Sequence, residues 1–153
     1  MIVDAQVTIN ASKGAVWAAI TDIENAAATM SGIEDIEVLE KPASGLVGLK
    51  WRETRRYFGK PASVEKSITD AAAGEFYKTR AESDGFLFLS TMSVSETGGG
   101  VRLMSSHETK PQGIAARLKS IPMPLFKRVI RKALTQDLND FKAAVERKRT
   151  VTD

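Results

Sequence analysis

The sequence predicts an α+β fold in which a curved antiparallel sheet of seven strands wraps around one long C-terminal helix. Most of the chain between Glu34 and Lys110 has the residue preferences and alternation of strands. Residues 125–148 instead repeat apolar side chains at steps of three and four, from Phe126 to Phe141, which places them on one helix face that should pack on the sheet. A helix that is apolar on one face only, lying across such a sheet, leaves room for a cavity between them.

The first part of the chain predicts one strand and two short helices. Residues 2–10 alternate apolar and polar side chains, as a half-buried strand does. Ser12 stands at an N-cap position, ahead of a short apolar helix that reaches Ile20. Asp22 stands at a second N-cap position, ahead of a helix over residues 23–30 that a Ser-Gly pair ends.

The middle of the chain predicts six consecutive strands separated by turn-forming residues. The Asp84-Gly85 pair is a strong hairpin signal. The glycine triplet at 98–100 precedes a strand and not a helix, so it predicts a hairpin loop and no phosphate-binding loop. The predicted strands are 33–41, 47–58, 62–70, 75–83, 86–97 and 101–110, and a short helix over 114–121 ends before Pro122.

Composition fits one domain over residues 1–153, with 42% hydrophobic and 27% charged residues. The chain has no cysteine and one histidine, and nucleotide-binding motifs are absent, so we expect no metal site and no cofactor. The N-terminus has an acid at Asp4 and does not resemble a signal peptide, and no apolar run approaches the roughly 20 residues of a membrane span. We therefore expect a cytoplasmic location.

Strand alternation predicts which side chains face the cavity. On the strand 47–58 the large apolar groups share a face with Glu53 and Arg55, so this face should point inward. On the last strand His107 shares the apolar face, whereas the strand that contains Phe88 is apolar on both faces. With the apolar helix face, this gives the predicted ligand-binding residues Trp51, Glu53, Arg55, Tyr77, Phe88, Leu103, His107, Ile130, Leu134 and Leu138.

The polar residues of this set have two interpretations, because an unpaired buried charge is costly. In the structural interpretation Glu53 and Arg55 pair with cross-strand neighbours or reach water at the mouth, and His107 is a satisfied histidine at the end of the sheet. In the functional interpretation they hold the polar head of a ligand. If the protein is an enzyme, His107 or Glu53 would transfer protons and Arg55 would stabilise an oxyanion. The tryptophans, Trp17 and Trp51, are either core residues or platforms for a ligand.

The C-terminal part of the chain is basic, and its cations lie mainly on the polar face of the last helix. They either form a solvated face that complements the helix dipole, or dock the protein on an anionic membrane or another protein. We expect a hydrophobic small molecule as the main partner and no nucleic acid, and the oligomeric state stays open.

Two short motifs accompany this order of elements, Ala-Ser with Val-Trp-Ala-Ala-Ile-Thr-Asp in residues 11–22 and Val-Gly-Leu-Lys-Trp-Arg-Glu in residues 47–53. The whole chain thereby resembles the helix-grip proteins of the START and birch-pollen-allergen superfamily, and within it the polyketide cyclase/dehydrase-like branch. Members often carry a Trp and Pro cluster after the first helix, where this chain has Asn-Ala-Ala-Ala-Thr-Met at 25–30. The resemblance implies a deep apolar pocket between sheet and helix that holds a hydrophobic ligand. The departure at residues 25–30 implies that the mouth of this pocket has a different shape from that of other members.

Most members of that superfamily bind or carry a ligand, and some catalyse a reaction. The leading hypothesis is therefore carriage or sensing of a lipid- or polyketide-like molecule, since no strong catalytic motif is present. The first alternative is a cyclase or dehydratase that uses polar residues of the same cavity. The second alternative is a docking module that uses the basic helix face.

Overall fold

The computed structural model describes residues 1–152, with side chains through residue 149; the last residue of the expected domain, Asp153, lies outside the described residues. Seven antiparallel strands form one curved sheet in the order β1-β7-β6-β5-β4-β3-β2, and the last helix lies against it. This confirms the predicted α+β helix-grip architecture.

The strands are β1 (Ile2–Ile9), β2 (Ile33–Glu40), β3 (Lys50–Tyr57), β4 (Lys60–Ala72), β5 (Phe76–Ser83), β6 (Phe86–Thr97) and β7 (Gly100–Pro111). The helices are α1 (Lys13–Thr21), α2 (Ala26–Thr29), α3 (Gly113–Lys119) and α4 (Lys127–Thr152). None of the described helices has the length and apolar character needed to cross a membrane.

Helix α1 begins as predicted, because the Ser12 side chain accepts a hydrogen bond from the amide of Ala15 at 3.1 Å. The predicted helix over residues 23–30 is wrong as one element. A 3₁₀ turn, Ile23–Asn25, comes first and α2 follows it. Asn25 interrupts the helix because its backbone is not helical, with φ −103° and ψ 12°, and its side-chain amide donates to Asp22.

The six consecutive strands are all present, and β6 has the predicted bounds. The prediction that β3 starts at residue 47 is wrong, since the strand begins at Lys50. Residues 46–49 form a turn in which Leu49 donates to the carbonyl of Leu46 at 3.0 Å. Gly48 within it has a φ of +97°, a value that glycine adopts readily and other residues rarely.

The last helix starts later than predicted and ends later. Residues Met123–Phe126 form a 3₁₀ turn, and α4 runs on past the predicted end at residue 148. Pro122 and Pro124 are compatible with a 3₁₀ turn or a helix start, because the first residues of either need no amide hydrogen, and the packed chain selects the turn. As a consequence Phe126 lies in the turn with 46% of its surface exposed, and its predicted packing on the sheet is wrong.

Helix α4 closes the hydrophobic core from Leu138 onward. It packs mainly against β1, and its buried side chains Leu138, Phe141 and Val145 join Ile9 and Val16 in one cluster. The prediction that this face points to the sheet is confirmed here, since Phe141 is 3% exposed. The N-terminal half of α4 does not reach the same depth, because Ile130 and Leu134 are only half-buried. The space between this half and the sheet holds the candidate site.

Candidate functional site

A cavity of about 630 Å³ lies between the sheet and the N-terminal half of α4. Inward-facing residues of β3 to β7 form its floor, and Ile130, Leu134 and Phe141 of α4 form its roof. Met123 and Phe126 of the preceding turn also border it. Its volume is within the range of roughly 300–1,000 Å³ that small-molecule sites occupy.

The structure brings eight of the ten predicted site residues to this cavity. They are Trp51, Glu53, Arg55, Tyr77, Phe88, His107, Ile130 and Leu134. The prediction is wrong for Leu103 and Leu138, which have no exposed surface and belong to the packed core. Alternation identifies the face of a strand or helix on which a residue lies. It does not say whether that part of the face meets a cavity or a tightly packed neighbour.

Two hydroxyl groups and one imidazole lie in a row on the floor of the cavity. His107, Ser90 and Thr79 are direct neighbours on β7, β6 and β5. The Nδ1 atom of His107 and the hydroxyl of Ser90 share a hydrogen bond of 2.9 Å, and the imidazole stacks on Phe88 with 5.9 Å between ring centres. Burial, assisted by the positive charge of Lys66, lowers the pKa of His107 to about 4. The imidazole is therefore neutral at pH 7.

Glu53 forms the centre of a charged cluster at one side of the cavity. Its side chain accepts hydrogen bonds from Arg55 Nε at 2.6 Å, Lys66 Nζ at 3.0 Å and Trp51 Nε1 at 3.3 Å. Burial by itself would raise the pKa of this carboxyl group, but the charges of Lys66 and Arg55 outweigh burial and lower the pKa to about 2. Glu53 is therefore an ionised and well-satisfied acceptor.

Arg55 connects this cluster to the last helix. Its two terminal nitrogens donate to the two carboxylate oxygens of Asp137 on α4, at 3.2 and 2.8 Å. Burial would lower the pKa of Arg55, but the hydrogen bond and charge of Asp137, together with Glu53, raise it. The bidentate geometry fixes the helix relative to β3. Arg55 and Glu53 are thus paired as the structural interpretation expected, although with partners on β3, β4 and α4 rather than only across the strands.

Lys66 and Asp137 were not among the predicted site residues, although a sequence pattern indicates each of them. Lys66 lies two residues from Val64 and two from Ile68 on β4, so all three side chains point to the same, inward face of the sheet. Asp137 follows Leu134 by three residues and precedes Phe141 by four, so it lies on the apolar face of α4.

The charges of the cluster balance, since two carboxylates, Glu53 and Asp137, face two cations, Arg55 and Lys66. Glu53 is the one hydrogen-bond partner of the Lys66 ammonium among the described residues, although an ammonium has three donors. Lys66 also lines the cavity. The site can therefore donate hydrogen bonds to a bound molecule without holding any excess charge.

Comparisons with known proteins agree with this geometry. The chain matches the family model described as "Polyketide cyclase / dehydrase and lipid transport" over residues 1–146. No curated protein matches the sequence. Similar solved structures include TTHA0849 from Thermus thermophilus, with a TM-score of 0.80 and 14% identity over 97% of this chain and 99% of that one.

A START superfamily protein from Mycobacterium smegmatis has a TM-score of 0.79 and 16% identity, covering 95% of this chain and 97% of that one. The Zhui aromatase/cyclase from Streptomyces sp. R1128 has a TM-score of 0.75 and 16% identity, covering 97% and 94%. At these identities the similarity shows a shared fold. The family match over residues 1–146 shows that this chain belongs to the polyketide cyclase / dehydrase and lipid transport family.

Proposed function

We propose that the protein binds and carries a hydrophobic small molecule, lipid- or polyketide-like, in the cavity between the sheet and α4. The observation that carries this proposal is a cavity of about 630 Å³ with mainly apolar walls and a charged cluster that sums to zero. Specific sites of this kind combine apolar contact with a few placed polar groups. We also propose that the chain forms a single domain and is located in the cytoplasm, as expected from the sequence.

The balance of charges favours a ligand with neutral oxygen atoms. A carboxylate placed beside Lys66 would add a third negative charge to a buried cluster that already balances, and such a charge is costly. A ketone or hydroxyl oxygen could instead accept a hydrogen bond from Lys66 and leave the balance unchanged. The hydroxyls of Ser90 and Thr79 offer further polar contacts on the cavity floor.

The second candidate function is cyclisation or dehydration of a polyketide-like substrate. The observation that favours it is the position of His107 in the cavity beside Ser90. A pKa of about 4 makes His107 a weak base at pH 7, and Glu53 is ionised and occupied by three donors. These two protonation states support carriage over proton transfer.

Three compounds of similar shape test the proposal: anthraquinone, anthracene and anthraquinone-2-carboxylate. In the Trp17→Phe variant the emission reports on Trp51, which lines the cavity. We expect anthraquinone to quench this emission at saturable concentrations and to bind more tightly than the hydrocarbon or the acid. Tightest binding of the carboxylate would overturn the assignment of a neutral ligand, and no binding of any of the three would overturn carriage in this cavity.

The Lys66→Met variant tests the donor. We expect it to bind anthraquinone about tenfold more weakly, as for one lost charge-assisted hydrogen bond. The matched control is Lys78→Met on β5, because Lys78 lies on the outer face of the same sheet. Thermal unfolding of both variants shows whether weaker binding reflects a lost contact or a loosened fold. Mass spectrometry of anthraquinone-like polyketide substrates after incubation detects turnover and would favour the second candidate.

A further inference from the structure

The segment that borders the cavity mouth, residues 113–132, exposes an unusual amount of apolar surface. We call it the mouth segment. It comprises α3, the 3₁₀ turn and the start of α4. Its exposed apolar side chains are Ile114 at 80%, Leu118 at 64%, Ile121 at 73%, Leu125 at 81%, Phe126 at 46% and Val129 at 56%. Large apolar groups concentrated in one exposed region usually mark an interaction surface.

Positive charge accompanies these apolar groups, and no acid opposes it within the segment. The mouth segment contains no Asp or Glu. Among the described residues, none of its cations takes part in a salt bridge, and all are exposed. They are Arg117, Lys119, Lys127, Arg128, Arg131 and Lys132. Interleaved cations and large apolar side chains are typical of segments that lie in a bilayer interface.

The hairpin between β3 and β4 adds an exposed aromatic residue to the same entrance. Tyr57 borders the cavity together with Met123 and Phe126 of the mouth segment. The next residue, Phe58, is 90% exposed and has a φ of +49°, a conformation that a bulky side chain rarely adopts. The hairpin thus holds an aromatic ring in water beside the mouth, at a cost in backbone strain.

We propose that the mouth segment docks the protein on an anionic lipid bilayer, with the cavity entrance turned toward the membrane. A second copy of the chain is a poor occupant, because two such cationic segments would repel one another. A bilayer with anionic lipids supplies negative charge for the cations and hydrocarbon for Leu125 and Phe58. The orientation rests on the proposed carriage, since a hydrophobic ligand would enter from the bilayer without crossing water.

Vesicle sedimentation tests the docking. We expect the full chain to bind vesicles of phosphatidylcholine with about 30% phosphatidylglycerol, and to bind pure phosphatidylcholine at least about tenfold more weakly, because several cations then act together on the anionic surface. Absence of binding to the anionic vesicles would overturn the inference. Binding to soluble poly-glutamate but not to vesicles would also overturn it and would assign the segment to an acidic macromolecule.

Variants separate the segment from net charge alone. We expect Lys127→Gln with Arg131→Gln to weaken vesicle binding by at least about fivefold. The control removes the same charge from the outer face of the sheet, with Lys78→Gln and Arg102→Gln, and should change binding by less than about twofold. Equal loss in both pairs would overturn a specific docking surface. Leu125→Ser should weaken binding even in about 0.5 M salt, where only apolar insertion remains effective.

Anthraquinone binding in solution, measured on Lys127→Gln with Arg131→Gln, keeps this inference distinct from the proposed function. Normal anthraquinone binding with lost vesicle binding supports docking through the segment. If the wild-type protein binds anthraquinone normally but does not bind anionic vesicles, the docking inference is overturned and the proposed carriage still holds. Vesicle binding by a protein that binds no anthraquinone removes carriage and, with it, the reason for the orientation of the cavity toward the bilayer.

Discussion

His107 should make the folded protein sensitive to mild acid. The half-buried imidazole stacks on Phe88 close to Lys66, and its pKa is lowered from 6.5 to about 4. Between these two pKa values the unfolded chain binds a proton that the folded protein does not bind. The free energy of unfolding therefore falls as the pH falls through about 6.5, and this loss is complete near pH 4.

The size of the effect follows from the two pKa values. At pH 5 the unfolded histidine is almost fully protonated and the folded one about one tenth protonated. The free energy of unfolding should therefore be lower by about 2 kcal/mol at pH 5 than at pH 7. Glu53 acts in a lower window, because its pKa, lowered from 4.5 to about 2, gives stability that is present above pH 4.5 and lost below it. Between pH 7 and pH 5 the histidine effect should dominate.

The assay is urea unfolding, followed by tryptophan fluorescence, at pH 7 and pH 5. The His107→Gln variant removes the titrating group and keeps an amide able to hydrogen-bond Ser90, so it should lose less than about 0.5 kcal/mol over the same interval. NMR titration of the one histidine gives its pKa directly. A histidine that titrates near 6.5, or a variant as acid-sensitive as the wild type, would refute the assigned burial of the imidazole.

Three further changes test the packing around the site by urea unfolding. Phe141→Ala should cost about 3 kcal/mol, at the low end for a buried phenylalanine because the ring also borders the cavity; a cost below about 1 kcal/mol would place the ring outside the core. Asp137→Asn should cost about 2 kcal/mol, because it weakens the bidentate pair with Arg55; an unchanged midpoint would show that the pair does not hold α4. Gly100→Ala should lower the free energy of unfolding by about 1–3 kcal/mol, because an added Cβ would lie 2.6 Å from a carbonyl oxygen of β1. The control is Gly98→Ala, where an added Cβ would have nothing within 4 Å, and it should change stability by less than about 0.5 kcal/mol. Equal effects of the two substitutions would contradict the close approach at Gly100.

The order of strands and helices was predictable from local patterns. Alternation along β3 placed Glu53 and Arg55 on the inward face with Trp51, and the structure confirms that face. The alternation is reliable there because successive strand residues must point to opposite sides of the sheet. The start of α4 was less predictable, since Pro122 and Pro124 permit either a helix or a 3₁₀ turn and only the packed chain selects between them.

Only the tertiary structure decided which inward residues line a cavity. Leu103 and Tyr77 have the same inward character in sequence, but in the folded chain Leu103 has no exposed surface, whereas Tyr77 borders the cavity below α4. The distance between helix and sheet depends on side chains far apart in the chain, such as Leu138 and Phe141 against β1. No local pattern contains that distance.

The sequence by itself therefore determined the fold class, the faces of the strands and the presence of buried charge near Glu53. It did not determine the partners of that charge, because Lys66 and Asp137 come from β4 and α4 and meet Glu53 and Arg55 only after the sheet curves under the helix. The same holds for the neutral state of His107, since its lowered pKa depends on how deeply the folded chain buries the ring. Residue type and spacing fix what a side chain is able to do, whereas burial and long-range contacts fix its charge and its partners.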